Sequence, residues 1–286
     1  MQMQKLLATT AEYIPYKIRR GLSIIGLDYT AKFSEDAVYE NNYSKESLHR
    51  KSFYNFGAGS FHHKFWSNIE APNSYDSRFN KKVDVEYNFT SRDQIPVESG
   101  TSEVCYTSHV LEHLRDADVR HIFSEIYRML KPGGVFRITC PDVGQAMQAV
   151  SAKNFDFFRI LVGNRKLIYD LDYDVGIAFF VAQQLVISEP GLPVPGYFKF
   201  SEFADESNYG EILDRLCQAS SDEYQKKNPV HINWWDNAKV IRFLHEAGFT
   251  EAAVSSYGKS KAMIMRDGNK FDNTWPQISL YVEAIK

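Results

Sequence analysis

Residues 103–140 set the tightest limit on what this chain can fold into. Residues 103–108, Glu-Val-Cys-Tyr-Thr-Ser, read as a strand. Residues 116–130 read as an amphipathic helix, with Val119, Ile122, Phe123, Ile126, Tyr127 and Leu130 recurring at steps of three and four. Lys131-Pro132-Gly133-Gly134 is a helix stop, and residues 135–140, Val-Phe-Arg-Ile-Thr-Cys, form the next strand. A strand, a helix and a strand in close succession make a parallel pair joined by a crossover. The chain is thereby committed to an α/β sheet covered by helices.

The flanking sequence extends that unit in both directions. A strand at 52–56 breaks at Gly57-Ala58-Gly59-Ser60, a second at 65–70 ends in Glu70, and a third at 82–88 ends at Asn88. Far downstream, Asp236 caps a helix at 237–247 that Gly248 stops, and strands follow at 250–257 and 278–285. The pattern predicts a doubly wound, mainly parallel α/β sheet of seven strands. Residues 144–230 interrupt it after the fifth strand. They are rich in Phe, Tyr, Leu and Asp, broken by Pro190-Gly191-Leu192-Pro193-Val194-Pro195-Gly196, and read as a helical insertion. Residues 1–50 read as a helical lead-in that packs on the domain or covers its ligand, leaving 51–286 as the main domain.

Composition excludes several classes of function. At 286 residues, 44% hydrophobic and 24% charged, the chain is an ordinary globular protein. A net charge of -3 gives no reason to expect nucleic acid or a membrane surface as partner. Cys105, Cys140 and Cys217 form no CxxC pair, which argues against a disulfide framework and a zinc ribbon. No run approaches the ~20 apolar residues of a spanning helix, and residues 1–10 lack the apolar core of a signal peptide. The expected location is cytoplasmic.

In a doubly wound sheet, ligands sit beyond the carboxyl ends of the strands, and the polar features fall there. Gly57-Ala58-Gly59 lets backbone approach a ligand closely, although a lone GxG is more often an ordinary loop. It lacks the third glycine of the dinucleotide fingerprint, which disfavours a nicotinamide oxidoreductase. Glu70 is placed to accept both hydroxyls of a ribose, or is a solvated strand-end charge. Asn88 pairs with an adenine edge or forms a turn. His62 and His63 face either the pocket or solvent. His109 and His113 flank an acid in the order His-Val-Leu-Glu-His, not the His-Glu-x-x-His of zinc proteases, so no metal is expected. His113 reads as structural. His109, nearer the strand end, is placed to take a proton from an acceptor hydroxyl. Asp142 is either a base or a helix cap, and His231 either a base or a surface-loop histidine.

Together, Asn55-Phe-Gly-Ala-Gly-Ser60, Trp66-Ser-Asn-Ile-Glu70, Ser108-His-Val-Leu-Glu-His-Leu114 and Glu125-Ile-Tyr-Arg-Met-Leu-Lys-Pro-Gly-Gly134 resemble the class I S-adenosylmethionine-dependent methyltransferases. Glu246-Ala-Gly-Phe249 and Ser279-Leu-Tyr-Val-Glu-Ala284 resemble in particular a small branch associated with bacterial surface-polysaccharide biosynthesis. The resemblance covers residues 51–142 and 231–286 in order. It implies a Rossmann-like sheet and S-adenosyl-L-methionine as cofactor, with S-adenosyl-L-homocysteine as product. Phe56, Gly57, Ala58 and Gly59 would hold the methionine part, Glu70 the ribose and Asn88, at a position commonly Asp, the adenine. Ser108 and His109 would lie beside the sulfonium, and His231 at the edge of the site. Catalytic candidates are His109, His231 and Asp142.

The activity implied is O-methylation of a sugar or sugar-linked group in capsule or other surface-polysaccharide biosynthesis. The insertion is expected to bind the acceptor through Tyr169, Tyr173 and Tyr197, beside Asp170, Asp172, Asp174, Lys199 and Glu202. Rival readings are a methyltransferase of a phosphorylated or phosphoramidate acceptor or a natural product, and a catalytically silent binding subunit of the same fold. The partner expected is a glycan or small-molecule acceptor, with the lead-in serving as a homodimer contact or a lid.

Overall fold

The computed structural model describes residues 35–71, 83–152, 154, 157, 186, 209–219 and 230–286. The chain divides into two units, Met1–Ser44 and Lys45–Lys286. In the first, the described residues include helix α1, Glu35–Asn42, where Asn42 Nδ2 donates to the Val38 carbonyl at 2.7 Å.

The second unit opens with the short helix α2, Lys45–His49, and is built on a seven-stranded sheet. Its strands are β1 Phe53–Phe56, β2 Trp66–Glu70, β3 Val85–Glu86, β4 Ser102–Ser108, β5 Leu130–Pro141, β6 Glu251–Val254 and β7 Ser279–Ile285. Their order is β3-β2-β1-β4-β5-β7-β6. Strands β1 to β5 pair in parallel, and β7 runs antiparallel to both β5 and β6. The mainly parallel, Rossmann-like sheet expected from the sequence is the sheet observed. Among the described residues, no helix is long and apolar enough to cross a membrane.

Helix α3, Asp116–Met129, shows why the local sequence folds as it does. Val119, Ile122, Phe123, Ile126 and Met129 are buried on one face, and Asp116 and Asp118 sit in the first turn, where they complement the helix dipole. The helix ends one residue before the expected Leu130, because Leu130 already has the extended φ of -65° and ψ of 142°. Lys131, preceding Pro132, is steered away from helical geometry as well.

Three strands differ from the expected ranges by more than one residue at an end. Lys131-Pro132-Gly133-Gly134 stops the helix but already belongs to β5, which begins at Leu130 and not at 135. Gly133 N–H donates to the Lys286 carbonyl at 2.6 Å, Lys286 N–H donates to Gly134 at 3.1 Å, and the β4–β5 register shifts between Ser102 and Val104 to absorb the extra residues. The third strand shrinks from 82–88 to Val85–Glu86, with residues 72–82 outside the described residues. The sixth narrows from 250–257 to Glu251–Val254, with Ser255 N–H still donating to the Tyr281 carbonyl at 2.7 Å just past its end.

Beyond β5, Asp142 caps helix α4, Val143–Ser151, by accepting from Gln145 N–H at 3.1 Å. Helix α5, Tyr209–Ala219, is the other described helix of the insertion, whose Pro/Gly cluster at 190–196 lies outside the described residues. Helix α6, Asn237–Glu246, is capped as expected by Asp236, which accepts from Lys239 N–H at 2.7 Å. Gly248 follows with φ of 106°.

Candidate active site

The strand order reverses between β1 and β4, because the chain builds outward from β1 on one side and from β4 on the other. At such a switch point the connecting loops diverge and leave a crevice beyond the carboxyl ends. A cavity of about 430 Å³ lies there. Its near wall is the turn Gly57, Ala58, Gly59 and Ser60 after β1, with Asn55 and, from β4, Tyr106 and Ser108.

The turn needs its glycines for two different reasons. Gly57 has φ of 65°, and a Cβ there would stand 2.3 Å from Val110 Cγ2, so the loop after β4 is packed against bare backbone. Gly59 has φ of 56°, but a Cβ there would meet nothing within 4 Å. Phe56, just before the turn, is buried in the sheet, so its backbone rather than its ring leads into the cavity. Glu70 lies below the turn. Its Oε2 accepts from Gly59 N–H at 3.3 Å and its Oε1 from Ala71 N–H at 3.2 Å, so the carboxylate braces the loop. Asn88 stands past the end of β3, and its Oδ1 accepts from Thr90 N–H at 3.1 Å and Thr90 Oγ1–H at 3.0 Å, a local turn contact.

The far wall comes from Asn269, Lys270, Asn273 and Thr274, in the excursion between β6 and β7. Sequence reasoning missed these residues, because nothing local marks a segment brought in by long-range contacts. The contacts are explicit. Arg137, fully buried in β5, pairs with Asp272 at 2.6 Å, donates through Nη1 to Ser255 Oγ at 2.8 Å and the Lys259 carbonyl at 2.9 Å, and through Nη2 to the Ser256 carbonyl at 2.8 Å. Phe271 packs on Phe61, Trp66 and Tyr106, with ring centroids 5.4, 5.1 and 5.5 Å away. The excursion is thus clamped over the cavity by one ion pair and one aromatic plug.

The two histidines after the turn separate. His62 lines the cavity, while His63 Nδ1 accepts from Phe65 N–H at 3.2 Å.

His109 terminates β4 with φ of 53°, a strained value of the kind found at functional positions. Its backbone N–H donates to Thr139 at 2.9 Å. Its Nδ1 lies 3.2 Å from Glu112 Oε1, and its Nε2 lies 2.8 Å from Ser279 Oγ. Ser279 Oγ, whose one proton goes either to Nε2 or to a carbonyl, also lies 3.1 and 2.8 Å from the carbonyls of Thr274 and Trp275. Both ring nitrogens are therefore engaged by protein groups.

The sequence reading weighed this run for its two histidines, yet the acid between them organises the cluster. The chain leaves β4 and makes a single 3-10 turn at Leu111–His113, not the helix of a zinc protease. Glu112 is fully buried in that turn. Its backbone carbonyl accepts from Ile232 N–H at 2.8 Å and Asn233 N–H at 3.1 Å, which draws His231 against it. His231 Nε2 is 3.9 Å and His113 Nε2 4.0 Å from Glu112 Oε1. Burial pushes the Glu112 carboxyl up, but the hydrogen bond and charge of His109, with the charges of His113 and His231, hold it down to about 2.

Asp142 stands apart from that cluster. It lines a second cavity of about 350 Å³ with Gln145, Tyr209 and Asp236. Burial raises its carboxyl pKa, the Gln145 N–H lowers it, and the neighbouring Asp236 raises it again. Two helix caps face each other here, and Asp236 also accepts from the Tyr209 hydroxyl. The acceptor candidates Tyr169, Tyr173 and Tyr197, with Asp170, Asp172, Asp174, Lys199 and Glu202, lie outside the described residues.

The family described as "Methyltransferase domain" matches residues 8–138 of the chain. No curated protein matches it. Among solved structures, it is similar to an S-adenosylmethionine-dependent methyltransferase from Mesorhizobium loti, at 12% identity and a TM-score of 0.39, over 82% of this chain and 90% of that one. It is also similar to one from Archaeoglobus fulgidus, at 12% identity and a TM-score of 0.38, over 82% and 85% of the two chains.

Proposed function

We propose that this chain, whose residues 8–138 match the methyltransferase-domain family, transfers a methyl group from S-adenosylmethionine to an oxygen of a sugar or sugar-linked acceptor in surface-polysaccharide biosynthesis. The switch-point cavity is the observation that carries the reading. Two of its features fit a bound nucleoside with an amino-acid arm. Gly59 leaves open the space that a Cβ would fill, and the buried Ser108 hydroxyl has no hydrogen-bond partner among the described residues. The turn's backbone and Ser108 would hold the methionine part, with Glu70 bracing the turn from below. The acceptor class rests on the resemblance of the quoted motifs.

When bound, S-adenosylmethionine supplies a methyl group on a sulfonium, a strong electrophile that needs in-line attack. The protein's part is to position the nucleophile and to relieve it of its proton. His109 serves that role best among the candidates. Glu112 faces its Nδ1, so Nε2 is the atom that takes the acceptor's proton, as in other base-and-orienter pairs. Since Nε2 is bonded to Ser279, the acceptor hydroxyl must take the place of the Ser279 oxygen. His231, directed at Glu112, supports the carboxylate instead of reaching the acceptor.

The test compares His109→Ala with Ser279→Ala, using labelled S-adenosylmethionine and sugar acceptors. His109→Ala should retain cofactor binding and lose about 10²–10⁴ in kcat, the usual worth of a general base. Ser279→Ala should keep kcat or raise it. Unchanged turnover in His109→Ala would remove it as the base.

A further inference from the structure

His113 has no part in that reaction, yet it stands ring to ring with His231 at 4.9 Å, beside a carboxylate sealed from water. We propose that Glu112, His113 and His231 form a binding site for one divalent transition-metal cation of the zinc class.

Geometry and donor chemistry carry the assignment. One donor atom from each residue lies within 4.8 Å of the other two, and the Glu112 contacts are 3.9 and 4.0 Å. Zinc holds imidazole nitrogen and carboxylate oxygen at about 2.0–2.2 Å, so side-chain adjustments of about 1 Å bring all three onto one ion. Two imidazoles and one carboxylate select zinc, cobalt or nickel over magnesium and calcium, which favour all-oxygen shells.

The surroundings resemble those of ligating histidines. His113 Nδ1 lies 3.0 Å from the Val230 carbonyl, a contact that places the proton on Nδ1 and turns the Nε2 lone pair toward Glu112 and His231. His109 Nδ1, at 3.2 Å from Glu112 Oε1, is the matching outer partner of the carboxylate. A buried carboxylate requires a compensating charge, and a dication supplies it. The Glu112 side chain is 1% exposed, whereas those of His113 and His231 are 33% and 23% exposed, so the ion enters past the imidazoles. Three protein ligands leave a fourth position open. The sequence argues against a metal because His-Val-Leu-Glu-His lacks the His-Glu-x-x-His order of zinc proteases. The third donor comes instead from a residue far along the chain.

The test does not depend on methyl transfer. The full chain, stripped with a chelator, is titrated with Co²⁺ and with Zn²⁺, followed by visible absorption and calorimetry, with Mg²⁺ as control. The expected result is one Co²⁺ or Zn²⁺ per chain and no comparable Mg²⁺ binding. His113→Ala and His231→Ala should each lower affinity by more than about 100-fold, beyond the loss typical of an outer partner. Without metal, both variants should still unfold cooperatively and bind S-adenosylmethionine like the stripped wild type, and His62→Ala should bind Co²⁺ like the wild type. Absence of one-to-one binding, binding that survives in His231→Ala, or binding lost in His62→Ala would overturn the assignment. S-adenosylmethionine binding, measured in parallel, reports separately on the methyltransferase reading.

Discussion

At the scale of single residues, much of the site depends on groups that brace others. Glu70 is the clearest case. Its carboxylate holds the Gly59 and Ala71 backbone, so the acid expected to grip a ribose also sets the shape of the glycine turn. Hydrogen bonds to a charged group are worth about 1.5–3 kcal/mol. Glu70→Ala should therefore weaken S-adenosylmethionine binding by about 10–100-fold in calorimetry while the protein stays folded. Affinity unchanged by this substitution would remove Glu70 from the cofactor site. Asp142 sorts the other way. It caps α4, and Asn caps a helix as well as Asp does, whereas Ala costs about 1 kcal/mol. Asp142→Asn should keep both melting temperature and turnover, and Asp142→Ala should lower the melting temperature alone. Lost turnover in a stable Asp142→Asn would make Asp142 the base in place of His109.

At the scale of elements, the strands and the two principal helices were legible because each carries its own signal. The three- and four-residue period of α3 and the Asp236 cap of α6 are local facts. What sequence could not supply were the contacts that bring distant segments together. Arg137 reads as one polar residue in an apolar strand, but it is the anchor of the whole excursion between β6 and β7. Removing one partner of a buried pair costs about 3–5 kcal/mol, because the other charge is left uncompensated. Arg137→Met should destabilise by that order in denaturant unfolding and loosen the cavity wall at Asn273 and Thr274. The double variant Arg137→Met/Asp272→Leu should recover part of the loss. An Arg137→Met protein as stable as wild type would show that the excursion is held by Phe271 instead. Glu112 was illegible for a similar reason: its histidine partner His231 lies more than a hundred residues on.

At the scale of the whole molecule, the strand order does what no single motif does. A GxG turn alone says little. The same turn at the reversal between β1 and β4, beside Ser108 on one wall of a cavity and roofed by a clamped loop, makes a candidate ligand site. On the proposed reading this site holds S-adenosylmethionine. Calorimetry of the intact chain with S-adenosylmethionine and, separately, with NAD tests it most directly. Saturable one-to-one binding of S-adenosylmethionine and none of NAD is expected. Binding of neither, or of NAD alone, would contradict it.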